Sequence, residues 1–323
     1  MRAYELGSFG GPDALTMVEL REPETVNSLI VEVRAIGVNF PDLLTTKGQL
    51  QDLPELPAVI GREIAGIVSS APTMSGWKAG DRVAAYVSGG GYAERVAVSP
   101  SGALPVADGT DFATAAALIV NYHTAHFAVG HRGKLRAGES VLVLGAAGGI
   151  GTAALQIAKA LRARTVIAGV ADDDQVSVAL AAGADHVVIL RPGFSAELAT
   201  MTEGLGSDLI VDPLGGDVFD EVLRCLAPEG RIVVMGFAAG TIPSVKVNRL
   251  LMRNIEVVGA AWGGPAKPDA PMMAEQGAAI AKMYSEGHLR PQIADRFPFE
   301  RLPDALRLLE RGQVRGKAIV EIS

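Results

Sequence analysis

Four glycines near the middle of the chain have the spacing of a phosphate-binding turn. They stand in the stretch "GESVLVLGAAGGIGTAALQIAKALRARTVIAGV", at Gly145, Gly148, Gly149 and Gly151. The apolar run before them is typical of a central parallel strand, and the pattern over 150–163 is helical. Glycines at such a junction let the backbone approach a pyrophosphate, which binds to amide groups at the start of the helix. Because another strand pattern follows, the context fits a dinucleotide-binding turn.

Two histidines and one cysteine are the candidates for a metal site. His123 and His126 are spaced i, i+3, so that both could face the same side of a helix. Neither a cysteine nor a third histidine accompanies them at a metal-like spacing, and hydrogen-bonded or solvated histidines are the better interpretation. The single Cys225 falls in the amphipathic pattern "FDEVLRCLAPEG", which favours a buried packing role. No metal site is predicted.

Two other enzyme classes that use a glycine turn do not fit the sequence. A short-chain dehydrogenase carries a tyrosine four residues before a lysine, and none of the five tyrosines here has a lysine at that position. A P-loop enzyme needs Gly-Lys-Ser/Thr after the glycines, and those residues do not follow them here.

Alternating strand and helix patterns continue after the glycine turn. Strand patterns occur in "HVVIL", "SDLIVDPLGG", "GRIVVMGFAAG" and "NIEVVGAAWG", and helical patterns cover 175–182, 195–202, 217–226 and 245–254. Together with the strands on either side of the turn, they predict an α/β domain with a doubly wound, six-stranded dinucleotide-binding sheet.

The segments on either side have a different character. Residues before about 115 form short β-like runs broken by Gly and Pro, which predicts an irregular, mainly β fold. After Trp262 a Gly/Pro-rich break precedes helical patterns near 273–286 and 302–310 and a final strand, "KAIVEI". Because this tail is too short for a domain of its own, it is expected to pack with the N-terminal part. The predicted limits are 1–118 and 265–323 for the substrate domain and 119–264 for the dinucleotide-binding domain.

Composition and charge exclude several function classes. The chain has 323 residues, 49% of them hydrophobic, and a formal net charge of -7, with no run of five basic residues. This composition excludes a disordered chain and argues against general nucleic-acid binding, which needs concentrated Lys and Arg. No leader-like pattern begins the sequence, and no apolar run is long enough to span a bilayer. We therefore expect a cytoplasmic protein with no nucleic-acid or membrane partner.

Five phrases of the sequence, in order, resemble the zeta-crystallin-like quinone oxidoreductases, the zinc-independent branch of the medium-chain dehydrogenase/reductase superfamily. They are "GVNFPDLL", "NYHTAHFAV", "LVLGAAGGIGTAALQIAKAL", "DPLGGDVF" and "RGKAIV". The resemblance covers essentially the whole chain and implies an irregular, mainly β (GroES-like) substrate domain with an inserted cofactor domain. It also implies an oxidoreductase that transfers hydride from NAD(P)H to a small hydrophobic quinone or an activated alkene such as an enone.

The residues at the zinc-binding positions of related enzymes differ here. The zinc-dependent branch of the superfamily has a cysteine where this chain has Asn39, and a histidine before a glutamate where it has Arg62 and Glu63. Arginine does not ligate a cation, and an amide is a poor substitute for a thiolate. The four-cysteine structural lobe of those enzymes is also missing. Metal-independent catalysis is therefore predicted.

The resemblance also implies which residues contact the cofactor. They are Asn39, Thr124, Ala147, Gly148, Gly149, Ile150, Gly151, Ala171, Leu214, Gly236, Phe237, Ala238 and Lys317. The side chains of Asn39 and Thr124 could hydrogen-bond the nicotinamide ribose or carboxamide, or could serve as a turn residue and a helix cap respectively. A tyrosine common in the family is replaced by Leu50, so no catalytic proton donor is assigned. Tyr92 is expected to be a strand residue rather than a general acid.

The choice between NADP(H) and NAD(H) depends on the loop "GVADDDQVSVAL". Relatives typically place a basic or small polar residue here and prefer NADPH, whereas this loop has Ala171, three aspartates, and Gln175 where a lysine often stands. An acid at this distance from the glycines ordinarily binds a ribose 2'-hydroxyl and indicates NADH. The aspartates also suit the start of a helix, and Arg191 could supply a positive charge. The resemblance favours NADP(H), with NAD(H) as the alternative.

Two other functions and one assembly follow from the resemblance. An enoyl-thioester reductase of the acryloyl-CoA type would need a basic patch near the cleft mouth for the nucleotide 3'-phosphate, and the sequence leaves open whether scattered Arg and Lys residues converge there. A non-enzymatic, nucleotide-bound structural or RNA-associated protein fits the complete glycine turn and the acidic charge less well. The strand "NIEVVGAAW" would leave an apolar open edge, and relatives pair this edge across a twofold axis, so a homodimer is predicted.

Overall fold

The computed structural model describes residues 1–24, 27–263 and 269–323. Its contacts divide the chain into two compact units. The first unit comprises Met1–Val120, Asp269–Gly277 and Ile293–Ser323, and the second comprises Asn121–Pro268 and Ala278–Gln292.

The strands and helices follow one another along the chain with these bounds. The strands are β1 (Arg2–Leu6), β2 (Leu15–Glu19), β3 (Leu29–Gly37), β4 (Ala58–Val59), β5 (Glu63–Ser70), β6 (Arg82–Tyr86), β7 (Arg95–Val98), β8 (Ala103–Pro105), β9 (Ser140–Leu144), β10 (Thr165–Val170), β11 (His186–Ile189), β12 (Ser207–Asp212), β13 (Leu226–Val234), β14 (Glu256–Gly259), β15 (Ile293–Pro298) and β16 (Lys317–Glu321). The helices are α1 (Phe40–Thr46), α2 (Phe112–Ala117), α3 (Val120–His126), α4 (Gly149–Ala160), α5 (Val176–Ala181), α6 (Phe194–Met201), α7 (Phe219–Val222), α8 (Asn248–Leu251), α9 (Ala270–Ser285) and α10 (Leu302–Glu310).

The second unit contains the predicted six-stranded sheet. Its order is β11-β10-β9-β12-β13-β14, and every pair in it is parallel. All five residues of β9 are buried, as the apolar run in the sequence predicts for a central strand. From β9 the chain first adds β10 and β11 on one side and then returns to add β12, β13 and β14 on the other. The strand order therefore reverses between β9 and β12, and the crevice at such a switch point is where open α/β sheets bind ligands. The doubly wound prediction is confirmed.

The first unit is mainly β, as predicted. One sheet has the order β2-β1-β4, and a larger one has the order β15-β16-β3-β5-β6-β8, with β7 also paired to β3. Their hydrophobic core includes Val31 and Val33 of β3, Ile64 of β5 and Leu306 of α10. The larger sheet joins the C-terminal tail to the N-terminal part of the chain, because β16 pairs with β3 and places Ile319 opposite Gly37.

Two predicted helices are shorter than their sequence patterns. The pattern over 217–226 gives only α7 and a single 3-10 turn, because Leu226 is already extended and a proline at position 228 disfavours helix at Ala227. The pattern over 245–254 gives only the four residues of α8, and Asn254 has a left-handed backbone with φ 54°. Within the described ranges, no helix combines the length and apolarity needed to cross a bilayer.

The tail contributes to both units. Residues 278–292 group with the second unit, whereas the sequence-based limits place 265–323 in the substrate domain. A physical reason lies in α4, where Gln156 Nε2 donates to Arg290 O at 2.9 Å and Gln156 Oε1 accepts from Arg290 N at 2.7 Å. The functional assignment of the two domains stays a prediction.

Candidate active site

The glycine turn lies between β9 and α4, at the switch point of the sheet. Gly145 has φ 59°, and a side chain at Gly151 would place its Cβ 2.2 Å from Gly145 O. Both positions therefore require glycine. Gly148 is the N-cap of α4, and the first amides of a helix have no acceptor within it. The N–H groups of Gly149, Ile150 and Gly151 belong to this first turn and suit an anion such as a pyrophosphate.

Predicted cofactor residues from other strand ends lie beside this turn. A Cβ at Gly145 would lie 3.2 Å from the Leu214 side chain. Ala238 N donates to Pro213 O at 3.1 Å, so the loop after β13 lies against the loop after β12. Gly236 belongs to the same loop. The exposed Phe237 ring lies close to Gly215, since a Cβ added there would be 2.9 Å from the ring. The structure thus brings these residues together at the carboxyl ends of the strands.

Asp212 holds the loop that carries Leu214. Its Oδ1 accepts hydrogen bonds from Leu214 N at 2.8 Å and Gly215 N at 2.9 Å. Asp212 is fully buried, and this burial raises the pKa of its carboxyl above the usual range. Ala147 is also buried, inside the glycine turn.

The loop after β10 is acidic and exposed. Ala171 N donates to Gln175 Oε1 at 3.2 Å, and Gln175 Nε2 donates to Asp172 Oδ2 at 3.4 Å. Asp173 and Asp174 are exposed and form a short 3-10 turn with Gln175. The Gln175 side chain therefore closes the loop on itself.

Thr124 lies inside α3 rather than at its end, so the helix-cap interpretation does not apply to it. Its side chain is half-buried, while the neighbouring His123 is buried against Trp262, with 5.4 Å between the ring centroids.

The first unit contains a buried polar cluster, here called the Asn39 cluster. Its members are Asn39, Asp42, Arg62, Glu63, Tyr92 and Lys317. Asn39 follows β3 and caps α1, while Glu63 begins β5 and Lys317 begins β16. Because β3 lies between β5 and β16 in the sheet, residues far apart in the sequence meet at this point.

The side-chain amide of Asn39 is fixed in orientation by its partners. Nδ2 donates to Gly37 O at 3.1 Å and to Glu63 Oε2 at 3.0 Å, whereas Oδ1 accepts from Lys317 Nζ at 2.6 Å. Both amide hydrogens are therefore used, and Oδ1 is the only atom of the amide left to accept a further hydrogen bond. Towards a further ligand, Asn39 can act only as an acceptor.

Glu63 is the residue that sequence analysis left without a role. Its carboxylate is fully buried, accepts from Val120 N at 2.6 Å, and forms an ion pair with Lys317, which is itself buried. A Cβ at Gly37 would lie 1.9 Å from Glu63 Oε2, so glycine at 37 makes room for the carboxylate. A signal was present in the sequence, since a charged residue heads the otherwise apolar strand "EIAGIV".

Asp42 and Tyr92 form the other half of the cluster. Asp42 Oδ2 accepts from Asn39 N at 3.0 Å and from Tyr92 OH at 3.1 Å. Burial raises the pKa of Asp42 to about 6, although the nearby Arg62 opposes this shift. Tyr92 is fully buried and precedes β7, so the expectation of a strand residue is wrong. Burial and Asp42 raise the pKa of Tyr92 well above its ordinary value.

These residues do not fit a zinc ion. The amide oxygen of Asn39 and the carboxylate of Glu63 are both bound to the Lys317 ammonium, and Arg62 is itself a cation. Cys225 lies in the second unit, where burial raises the pKa of its thiol to about 12. Across the described part of the chain, no group of three or more His, Cys, Asp or Glu side chains could hold a metal ion. No step of the chemistry is therefore assigned to a metal.

Comparisons with known proteins agree with this architecture. Residues 26–108 match the family model described as the alcohol dehydrogenase GroES-like domain, and residues 149–277 match the one described as zinc-binding dehydrogenase. Quinone oxidoreductase-like protein 2 of Bos taurus is 34% identical over 302 residues, which cover 93% of this chain and 86% of the relative.

Solved structures are similar over the full length. A probable oxidoreductase from Mycobacterium abscessus has a TM-score of 0.91 and 46% sequence identity, covering 99% of this chain and 98% of that one. An Escherichia coli quinone oxidoreductase complexed with NADPH has a TM-score of 0.89 and 27% identity, covering 99% of this chain and 100% of that one.

Proposed function

The chain belongs to the zinc-independent quinone oxidoreductase branch of the medium-chain dehydrogenase/reductase superfamily, and on that premise we propose that it reduces small quinones or enones with NADPH. The glycine turn at the switch point of the sheet carries this proposal, because its geometry suits a dinucleotide pyrophosphate. The quinone oxidoreductase-like relatives support an NAD(P)H-dependent oxidoreductase. The Asn39 cluster supports catalysis without a metal, since the amide of Asn39 and the guanidinium of Arg62 occupy the positions that a cysteine and a histidine hold in the zinc-dependent branch.

Each predicted cofactor residue has a role in this proposal. The amides of Gly149, Ile150 and Gly151 hold the pyrophosphate, with Ala147 and Gly148 shaping the turn. The loop residues Leu214, Gly236, Phe237 and Ala238 line the cofactor, and Ala171 lies at the adenosine ribose. Asn39 Oδ1 accepts a ribose hydroxyl, Lys317 fixes that amide, and Thr124 offers a further hydroxyl. When bound, the reduced nicotinamide supplies a hydride, which needs the acceptor held about 3–3.5 Å away.

NADPH rather than NADH is proposed as the preferred cofactor. The E. coli structure complexed with NADPH supports this choice. Arg191, whose side chain is 70% exposed and lies 4.0 Å from the Glu197 carboxylate, supplies a positive charge for a 2'-phosphate. The exposed aspartates after Ala171 oppose it, because they repel a phosphate. NADH is the alternative, and the two predict opposite preferences in one kinetic comparison.

A homodimer is proposed as the assembly. The strand β14 ends the sheet, and exposed apolar side chains lie on it and on the segment before it. They are Ile242, Val247, Leu251, Met252 and Val257. An open apolar edge of this kind invites pairing with a second copy of the chain. The cytoplasm stays the compartment predicted from the sequence.

Turnover by the purified protein tests the function. We expect oxidation of NADPH with small quinones or enones, unchanged after exhaustive chelation and without stoichiometric zinc in elemental analysis. The absence of turnover with the whole acceptor panel, despite measurable NADPH and NADH binding, would contradict the proposal. Loss of turnover when a tightly held zinc is removed would contradict its metal-independent part.

A further inference from the structure

Arg62 differs from Lys317, the other cation of the Asn39 cluster, in how little of its donor capacity is used. Its Nε lies 3.7 Å from Asp42 Oδ1, and its Nη2 lies 3.4 Å from Thr45 Oγ1. Charge-assisted hydrogen bonds are about 2.7–2.9 Å long, so neither contact is a strong bond. Within the described ranges, Asp42 Oδ1 accepts no hydrogen bond. Coulomb attraction holds the guanidinium near the carboxylate while most of its five N–H groups stay available.

A comparably buried arginine elsewhere in the chain shows what a purely structural role looks like. Arg231 pairs with Glu139 through two nitrogens, at 3.0 and 2.6 Å, and donates to the carbonyls of Gly133, Lys134 and Asp208. Its side chain is 12% exposed, against 18% for Arg62. Arg62 is therefore shielded from solvent to a similar degree, yet among the described residues its guanidinium donates far fewer hydrogen bonds to protein acceptors than that of Arg231. The spare donors suit a ligand oxygen.

Asp42 connects this guanidinium to the residue proposed to meet the nicotinamide ribose. Its Oδ2 accepts the backbone N–H of Asn39, and its Oδ1 faces Arg62. The backbone before Arg62 is fixed by Gly61, which has φ 97° and where a Cβ would lie 2.2 Å from the Tyr92 ring. Arg62 and Asn39 are therefore positioned by the same buried carboxylate.

We propose that Arg62 donates hydrogen bonds to the carbonyl oxygen of the electron acceptor and stabilises the negative charge that develops there. This inference rests on the proposed function. When the conjugated carbon of an enone receives the hydride, a new C–H bond forms and the alkene electron pair shifts to give an enolate oxygen. A quinone likewise becomes a hydroquinone monoanion. The proton that completes the reduction comes from solvent, and Arg62 keeps its own protons throughout.

The sequence explains why such a donor is needed. Neither a zinc ion nor the family tyrosine, which Leu50 replaces, is available to polarise the acceptor. Tyr92 does not substitute for it, because its hydroxyl is buried and donates to Asp42. A fixed, partly desolvated guanidinium supplies the positive charge without a proton transfer.

The test compares the variants Arg62→Met, Arg62→Lys and Arg62→Ala with the wild type. We expect Arg62→Met to lower kcat/KM for quinones and enones by about 100-fold, which is the effect of removing one oxyanion donor. Arg62→Lys should have an intermediate kcat/KM, since it keeps the positive charge but loses the paired N–H donors of the guanidinium. The dissociation constant for NADPH should stay within about twofold, and added methylguanidinium should partly restore Arg62→Ala. As a matched control, Arg34→Met removes a guanidinium of the same unit, paired with Glu32 at 2.9 Å, and should leave turnover unchanged.

A binding measurement makes the inference independent of turnover. The probe is 4-nitrophenol, whose anion absorbs visible light; the wild type should bind it as the phenolate and shift its titration to lower pH, and Arg62→Met should not. Because the single variant leaves Asp42 buried without its cation, the double variant Asp42→Asn/Arg62→Met is measured as well. Unchanged kcat/KM together with unchanged phenolate binding in these variants would overturn the inference. Absence of turnover in the wild type would defeat the proposed function, while phenolate binding would still decide the role of Arg62.

Discussion

Lys317 Nζ donates to Asn39 Oδ1 at 2.6 Å, joining residues 278 positions apart in the sequence. The same ammonium pairs with Glu63, whose carboxylate accepts the other end of the Asn39 amide. The three side chains therefore form a closed set of donors and acceptors, shielded from water. Their arrangement fixes which atom of Asn39 faces a ligand, so the set positions the amide as well as stabilising the unit.

Replacing Lys317 with methionine should destabilise the first unit strongly. The Glu63 carboxylate would stay buried without its cation, and breaking one partner of a buried pair costs about 3–5 kcal/mol. The double variant Glu63→Gln/Lys317→Met removes both charges and should recover most of that loss. Chemical denaturation measures the free energy of unfolding of the single and the double variant. Equal stability of the single variant and the wild type would show that the ion pair contributes nothing.

Gly151→Ala should abolish tight binding of the dinucleotide. The added Cβ would lie 2.2 Å from Gly145 O, which is backbone, so the turn itself must move. Binding is followed by quenching of protein fluorescence or by calorimetry with NADPH. Gly7→Ala is the matched control, because no atom lies within 4 Å of its added Cβ. Retained NADPH affinity in Gly151→Ala would place the pyrophosphate elsewhere.

The glycine turn could be predicted because its information is local. Gly145 to Gly151 stand between a strand and a helix in one continuous stretch, and the requirement for glycine follows from contacts within that stretch. The Asn39 cluster could not be predicted in the same way. Asn39, Glu63 and Lys317 meet only through the register of β3, β5 and β16, which no local pattern specifies. The helical pattern over 217–226 failed because periodicity does not reveal where an extended strand begins.

The preference for NADPH should increase when the acidic loop is neutralised. Asp173→Asn/Asp174→Asn removes two exposed carboxylates near the predicted 2'-phosphate, and should raise kcat/KM for NADPH relative to NADH by about tenfold at low salt. Asp52→Asn/Asp108→Asn removes the same charge at exposed positions in the first unit and should leave the ratio unchanged. A tenfold preference of the wild type for NADH would show that Asp172 or a neighbour holds the ribose, and the choice of NADPH would be wrong.

Asp42 should make stability fall as the pH rises from about 4 to about 6. Its pKa is about 6 in the folded chain and about 3.9 when unfolded, so in this window the folded state holds a proton that the unfolded state has lost. At 1.36 kcal/mol per pH unit, the loss is about 3 kcal/mol. The Asp42→Asn variant should not show this loss of stability between about pH 4 and about pH 6. Carboxyls with a lowered pKa, such as Asp185, make stability rise with pH, and they do so equally in the wild type and in the variant. Parallel stability curves for the two proteins would contradict this assignment.

The edge strand β14 should pair two copies of the chain. Light scattering at micromolar concentration should give twice the 33.5 kDa of one chain. Leu251→Glu/Met252→Glu places charges on side chains that are 75% and 78% exposed, so it should yield a monomer without lowering the free energy of unfolding of the second unit. Met74→Glu alters a more exposed methionine in the first unit and should remain dimeric. A wild-type mass near 33.5 kDa would rule out the homodimer, and a dimer that persists in the double variant would place its interface on another surface.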